Sequence, residues 1–335
     1  MEKIFSRLSW FSATTVLLVL LATLYVLYVQ AKPAIDAYGW KFILDPRWGV
    51  EVAIDEQGRE IPRDEFFHTE ENAAGSMVLD EDGIPMEDET ETGQADLERN
   101  AEAGVTIKEI YGGLVPIVGS VLSTLIAMAF SIPIAMGIAV FLSEISIEAL
   151  KTPVGVAIEL LAAIPSIIYG MWGLFFFGPF IASIFGGSSV SLLVAGLVLG
   201  VMVIPFMAAL SRDAINTTPD VLKESAYAVG ATRFEVVKDI IFPYAKTGIL
   251  GSIIISLGRA LGETMAVAFV IGGVYQLAEH VTDPTISIPV ALANNFAESS
   301  GLSLAALYYL AFILFVVSFV IIFLAKEFLL RRAKV

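Results

Sequence analysis

The sequence contains no cysteine and only two histidines, His68 and His280. The absence of cysteine excludes disulfide bonds and thiolate metal sites, and it removes any argument about compartment from redox chemistry. Two histidines also argue against a multi-histidine metal centre. The sequence therefore predicts a chain without a resident metal or other cofactor.

Charged residues are scarce over most of the chain. They make up 16% of the residues, hydrophobic residues make up 56%, and the mean hydropathy is +0.77. Several uncharged runs exceed the roughly 20 residues that span a bilayer as a helix. This composition excludes an ordinary soluble domain and predicts an all-α, polytopic membrane protein. We predict six transmembrane helices, at residues 10–29, 110–143, 154–176, 190–210, 247–274 and 302–325.

The negative charge is confined to one segment. Residues 31–112 hold 21 of the 35 acidic and 7 of the 20 basic residues, a net charge of −14 out of −15. We therefore divide the chain into residues 1–30 with the first helix, the acidic segment 31–112, and a transmembrane domain at 113–330.

The acidic segment carries two local patterns. Val50–Ile61 partly alternates around Gln57-Gly58, which predicts a short β-hairpin. Asp80–Glu91 is acidic and poor in bulky residues, which predicts a mobile loop. Both a small β-containing subdomain and a largely disordered insert are compatible with this segment.

The distribution of lysine and arginine predicts the orientation. Twelve of them lie in residues 1–7, at Lys151, in the long polar loop (residues 212–246) and in the C-terminal tail, which share one side of a six-span protein. The opposite short loops, 177–189 and 275–301, contain none. By the positive-inside rule, both termini and the long polar loop are cytoplasmic, and the acidic segment is extracytoplasmic. The chain is thus predicted to be a multi-pass protein of the cytoplasmic (inner) membrane.

The long polar loop is predicted to form two short helices around a glycine. Pro219 can open the first helix, and Gly230 interrupts it. Thr232 can cap the second helix together with Glu235, and Pro243 is expected to close it. Because the charges of the loop are mixed, it is not a basic membrane-surface helix. The pattern alone leaves open both the docking of a partner and a loop that lies on the lipid headgroups.

Two charged residues interrupt the fifth apolar stretch. Arg259 would lie about 18 Å deep at ~1.5 Å per residue, near the middle of a ~30 Å hydrocarbon core, where an arginine costs at least ~2.5–3.5 kcal/mol. Glu263 would share its helix face, and Glu159 in the third stretch is a second candidate partner. Two interpretations stay open: a purely structural ion pair, and contact with an oxyanion, which the planar fork of arginine suits.

The spacing of the long polar loop resembles the EAA loop of ABC importer permeases. That motif is Glu-Ala-Ala, three residues, Gly, nine residues, Ile, one residue, Leu-Pro. The corresponding residues here are Glu224, Ser225, Ala226, Gly230, Ile240, Phe242 and Pro243, with Ser225 and Phe242 as departures. In that family the loop fits a groove on an ATP-hydrolysing subunit and transmits its closure. The sequence GxxxxGK[ST] is absent, so we predict that this chain is not itself an ATPase.

The stretch GRALGETMAV (Gly258–Val267) is similar to a block of the phosphate-specific (Pst) branch of ABC permeases, and within it of the PstC-type subunits. Three further stretches agree with that branch, Ile158–Phe175, Lys223–Val237 and Ala291–Glu298, and the resemblance covers roughly residues 110–330. The acidic segment departs from it, since the branch usually joins the first two spans by a shorter connection.

The resemblance implies the type I importer fold and the inward transport of inorganic phosphate. Arg259 would stabilise the anion in transit, and Glu263 and Glu159 would hold that side chain. The implied partners are a second homologous permease subunit, a cytoplasmic ABC ATPase dimer, an extracytoplasmic phosphate-binding protein and membrane lipid, without nucleic acid.

Two alternative functions remain open at this point. A permease for another oxyanion, such as sulfate or molybdate, would share the EAA-type loop but not the GRALGETMAV block. A self-contained secondary transporter or channel would have no reason to carry such a loop. The resemblance also allows a role as adaptor to a phosphate-sensing kinase, although no residue indicates it.

Overall fold

The computed structural model describes residues 2–54, 60 and 106–331. The predicted mobile loop Asp80–Glu91 and the predicted turn at Gln57-Gly58 lie outside these residues. The chain divides into two compact units, one of residues 1–46 and 113–335 and one of residues 47–112.

The larger unit is helical. Its helices are α1 (Glu2–Tyr38), α2 (Leu114–Val140), α3 (Glu148–Ala163), α4 (Ser166–Trp172), α5 (Gly178–Phe185), α6 (Leu192–Asn216), α7 (Asp220–Ala228), α8 (Arg233–Glu235), α9 (Phe242–Leu261), α10 (Met265–Ala268), α11 (Ile288–Asn295) and α12 (Gly301–Arg331). A 3₁₀ turn follows α1 at Gly39–Ile43, and π-helical turns occupy Phe141–Ile145, Gly173–Phe177 and Val236–Ile241.

Six segments within the described residues are long and apolar enough to cross a membrane, which confirms the predicted all-α, six-span fold class. They are Phe5–Ile43, Leu114–Ile145, Ser166–Phe185, Leu192–Asn216, Arg233–Leu261 and Gly301–Glu327.

The third span begins later than predicted. Residues 154–163 belong to α3, which ends at Ala163, and the apolar segment that can cross the membrane starts at Ser166. Pro165 is the cause, because it has no N–H and holds the preceding Ile164 in an extended conformation (φ −63°, ψ 129°). Glu159 therefore lies outside the third span.

The start of the second span and the end of the fifth span also differ from the prediction. The second span starts at Leu114 rather than at residue 110, because the preceding residues form a strand. The fifth does not reach residue 274, because α9 ends at Leu261 with Gly262 as its C-cap. Glycine weakens helical continuation because it loses the most backbone entropy when it is ordered.

The core of the larger unit is the packing of α2 on α6. Gly196 and Gly200 form a G-x-x-x-G pair on α6 that faces α2. A Cβ atom built on Gly196 would stand 2.6 Å from a side-chain atom of Ile126, and one on Gly200 would stand 2.9 Å from the Phe130 ring. Small residues at these positions let the two backbones approach closely, as membrane helices require.

The first and last helices pack along each other. The rings of Tyr28 and Phe312 are 5.9 Å apart, and Phe42 stacks on Tyr309 at 4.5 Å. The hydroxyl of Tyr309 donates a hydrogen bond to the carbonyl of Gly39 (3.2 Å). These contacts hold the end of α1 beyond the predicted boundary at residue 30.

The smaller unit contains a two-stranded antiparallel sheet of β1 (Trp48–Ile54) and β2 (Thr106–Tyr111). Trp48 pairs with Tyr111, and their rings pack edge to face at 5.1 Å. Short β structure was predicted here, but β1 pairs mainly with a strand distant in sequence. A single bridge from Ile54 to Glu60 follows the predicted hairpin.

Candidate functional site

Helices α6 and α9 form an antiparallel hairpin that the long polar loop closes at one end. The hydroxyls of Ser211 and Ser252 share a buried hydrogen bond of 2.6 Å across the two helices. A Cβ atom on Gly248 would stand 2.6 Å from the Cβ of Ala214, so the backbones are close at this level too. The hairpin thus links the loop to the last turn of α9, where Arg259 lies.

Arg259 is exposed in this chain. Its guanidinium carbon lies 5.3 Å from the centroid of the Phe206 ring on α6, a cation–π distance. Among the described residues, Arg259 forms no ion pair with a carboxylate. Its N–H groups are therefore available, within this chain, for a negatively charged solute or a neighbouring subunit.

Glu263 does not share a helix face with Arg259, which corrects the prediction. Because α9 ends at Leu261, Glu263 lies in the break before α10. There its Oε1 accepts a hydrogen bond from the backbone N–H of Ala266 (3.3 Å), as an acid at the start of a helix does. Glu263 fixes the geometry of the break that follows Arg259.

The short helix α10 packs closely on α4. A Cβ atom on Gly170 would stand 2.9 Å from the Phe269 ring and 3.0 Å from the carbonyl oxygen of Ala266. The neighbouring Tyr169 is buried, and its hydroxyl donates to the carbonyl of Leu161 across the Pro165 break (2.8 Å). The two helix breaks are therefore packed against each other.

Glu159 is not a partner of Arg259, contrary to the prediction. Its Oε1 lies 3.6 Å from Nη2 of Arg212, near the C-terminal end of α6 and about 9 Å along the helix axis from Phe206. Arg212 also contacts Asp213 at 3.2 Å, and Gly155 leaves room for its guanidinium. These charges line a polar cavity of about 370 Å³ between α3 and α6.

A second cavity, of about 570 Å³, borders the break after α9. It is lined almost entirely by apolar side chains, including Met265, Leu292 and Leu307, together with Gly262 and Thr264. A phosphate ion would lose its hydration there without gaining hydrogen bonds. The cavity leaves space beside the break but does not constitute an anion site.

The long polar loop has the predicted helix–glycine–helix geometry. Pro219 is the N-cap of α7, and Gly230 adopts a φ of +93°, which favours glycine. Thr232 and Glu235 form the predicted capping box: the Thr232 N–H donates to Glu235 Oε2 (2.7 Å), and the Glu235 N–H donates to Thr232 Oγ1 (3.4 Å).

Pro243 does not close the second helix, which corrects the prediction. It stands in the first turn of α9, where the missing N–H of proline is tolerated. The preceding π-helical turn Val236–Ile241 carries α8 into α9 with little interruption. The loop's second helix is therefore continuous with the fifth span.

The loop has one apolar face buried and another exposed. Val236, Ile241 and Ala245 pack in a cluster with Ala139 of α2 and Ile215 of α6. Large apolar side chains on the other face are exposed: Val221, Leu222, Tyr227, Val229 and Phe234. Exposed apolar groups of this kind mark an interaction site with another protein or with the membrane.

One charged side chain of the loop points inward. Lys223 Nζ lies 2.7 Å from Glu144 Oε1 in the π-helical turn that ends α2, and the side chains are only 15% and 9% exposed. Sequence reasoning missed this pair, as it missed the contacts of Phe206 and Arg212. No local pattern connects residues that are so far apart in the chain.

Comparisons with known proteins identify the family. The family described as "binding-protein-dependent transport system inner membrane component" matches residues 110–335. A "phosphate transport system permease protein PstC" of Pasteurella multocida is 45% identical over 248 residues, which cover 68% of this chain and 78% of that protein. This chain belongs to the PstC-type permeases of that family. The protein of the same description from Mesorhizobium japonicum is 40% identical over 69% of this chain and 77% of its own length.

Solved structures confirm the fold class. A chain of the MetNI methionine ABC transporter in an inward-facing conformation superposes with a TM-score of 0.52 at 21% identity, covering 64% of this chain and 93% of that one. A chain of a bacterial alginate ABC transporter gives 0.52 at 16% identity, covering 66% and 79%. The helical arrangement is therefore that of an ABC importer permease.

Proposed function

We propose that this chain is a transmembrane subunit of an ATP-driven importer that moves inorganic phosphate across the cytoplasmic membrane. The observation that carries the proposal is Arg259: an exposed arginine without a carboxylate partner in the described chain, at a helix break, in a protein related to phosphate permeases. An arginine fork donates parallel hydrogen bonds to a tetrahedral oxyanion.

The conformational change of the ATPase subunits is proposed to act on this chain through the coupling loop, which is the part of the long polar loop from Pro219 to Pro243. Its exposed apolar side chains would dock on an ATPase subunit, together with the exposed Glu224 and Ser225 of the first helix. Ala226, which packs against the buried cluster, and the half-buried Ile240 would support the loop from its inner side. ATP-driven closure of an ATPase dimer would displace the loop. The displacement would reach Arg259 along the α6–α9 hairpin and switch the path between its two openings.

The path itself is proposed to lie between this chain and a second permease subunit. Arg259 faces outward from this chain, so a solute beside it would also contact that neighbour. Glu263 sets the backbone break next to the arginine, which gives it an indirect part in the path. Glu159, paired with Arg212, would support the helices and would not touch phosphate.

An extracytoplasmic phosphate-binding protein is proposed to deliver the ion. The acidic segment has a net charge of −14, and its field repels free phosphate within a Debye length of ~8 Å at physiological salt. A carrier that hands over a shielded ion avoids this repulsion. This arrangement requires cytoplasmic termini and an extracytoplasmic acidic segment, as the lysine and arginine distribution favours.

The experiment is purification of the chain with its partners and reconstitution into vesicles. Phosphate-loaded binding protein should stimulate ATP hydrolysis and phosphate uptake, and sulfate or molybdate should not. Stimulation by sulfate or molybdate alone would replace the proposal with the other-oxyanion permease. Uptake by the isolated chain without an ATPase would contradict it altogether.

A further inference from the structure

We propose that the ion pair between Lys223 and Glu144 transmits the movement of the coupling loop to α2, so that both are positioning residues for ATP-driven transport. The inference rests on the proposed function, because it assigns a route to the force that enters through the loop.

The loop is covalently continuous with only two spans. The chain enters it from α6 and leaves it into α9. The second span, α2, packs along α6 and forms much of the core, but no peptide bond connects it to the loop. Movement of the loop can reach α2 through the packing of α2 on α6, and a direct side-chain contact between the loop and the end of α2 adds a second route.

Lys223 and Glu144 provide such a contact. Glu144 lies in the π-helical turn Phe141–Ile145 that ends α2, and its carboxylate receives Lys223 Nζ at 2.7 Å. Asp220 also lies 3.7 Å from Lys223, but its side chain is 86% exposed and screened by water. Ala226, on the following turn of α7, packs against the cluster that contains Ala139 of α2.

Because the pair is buried, we expect it to contribute little to the free energy of unfolding and more to the relative position of the loop and α2. Charges this far from water incur a desolvation cost that their attraction barely offsets, and apolar replacements of similar volume are often equally stable. A charge-assisted hydrogen bond, however, has a defined length and direction. It can therefore pull α2 as well as push it, whereas apolar surfaces slide past each other.

The test measures phosphate taken up per ATP hydrolysed by the complete complex in vesicles. We expect Lys223→Met and Glu144→Gln to lower this ratio about fivefold or more, the lower end of typical coupling between two sites, while the ATPase subunits still co-purify. The charge swap Lys223→Glu with Glu144→Lys keeps the combined length of the two side chains, and it should recover most of the ratio.

The apolar double variant, Lys223→Met with Glu144→Leu, separates coupling from folding. It should assemble and hydrolyse ATP but keep the low ratio. A wild-type ratio in this variant, or a charge swap that assembles with full ATPase activity but stays uncoupled, would overturn the inference. Lys326→Met, which removes an exposed lysine from α12, is the matched control and should leave the ratio unchanged.

The same measurement distinguishes this inference from the proposed function. If the wild-type complex takes up a different oxyanion, the phosphate assignment fails, and the ratio of that ion to ATP still tests the ion pair. If phosphate is taken up and the variants behave as wild type, only the ion-pair inference fails.

Discussion

The guanidinium carbon of Arg259 lies 5.3 Å from the centroid of the Phe206 ring, so the last turn of α9 is attached to α6 by a cation–π contact. An aromatic ring has no carboxylate oxygen, and no carboxylate of the described residues pairs with the guanidinium N–H groups. A carboxylate partner would occupy those same donors. The contact therefore holds the arginine in place without competing with an anion for its hydrogen bonds.

We expect Phe206→Leu to raise the KM for phosphate about two- to fivefold, the equivalent of the ~0.5–1 kcal/mol of an exposed cation–π contact. Phe206→Tyr keeps an aromatic ring and should stay near wild type. Uptake kinetics in vesicles at saturating ATP measure both. Equal KM values for the leucine and tyrosine variants would show that the ring face does not orient Arg259.

Arg259→Gln should abolish phosphate uptake while the complex remains assembled, because the variant loses both the charge and the paired donors. Arg259→Lys should retain a small part of the activity, since it supplies charge without the fork. Assembly is checked by co-purification of the ATPase subunits. Uptake near the wild-type rate in Arg259→Gln would make this arginine a structural residue.

Glu159→Gln should leave the KM for phosphate unchanged, because Glu159 contacts Arg212 rather than Arg259. The Glu159 side chain is 62% exposed, and Arg212 keeps its contact with Asp213, so the free energy of unfolding should fall by no more than ~1 kcal/mol. Uptake kinetics measure the KM for phosphate, and thermal unfolding in detergent measures the change in stability. A large rise in KM would restore the original assignment of Glu159 to the path.

Gly230→Pro should prevent docking of the ATPase, because proline fixes φ near −65° and Gly230 requires +93°. Gly230→Ala meets no neighbouring atom and should cost only ~1–2 kcal/mol of backbone strain, with docking weakened but detectable. Co-purification with the ATPase measures docking in the proline and alanine variants. Intact ATP-driven transport by Gly230→Pro would contradict the docking role of the loop.

Gly248→Val should destabilise the α6–α9 hairpin by ~1–3 kcal/mol, because even a Cβ atom there stands 2.6 Å from Ala214. Gly251→Ala is the matched control, since its Cβ meets nothing within 4 Å and alanine favours the helix. Thermal unfolding of the detergent-solubilised complex compares them. Similar midpoints for the two variants would mean that the helices are not tightly packed at this level.

The features that sequence predicted are those that the local chain determines. Long apolar runs must cross the membrane as helices, because no water satisfies backbone groups in hydrocarbon, and all six were found. The capping box of Thr232 and Glu235 and the helix interruption at Gly230 depend on residues at most three positions apart. They follow from side-chain reach and backbone sterics alone.

The features that only the tertiary structure decided are the helix ends and the pairing of charges between helices. Pro165 and Gly262 weaken a helix locally, but only the structure showed that α3 ends at Ala163 and α9 at Leu261. The partners of Glu159 and Lys223 depend on the register between helices. Small residues contribute to that register, since Gly155 leaves room for the Arg212 side chain and Gly248 lets α9 approach α6 at Ala214. The sequence of a single helix does not determine the register between two helices, because that register depends on how their surfaces pack together.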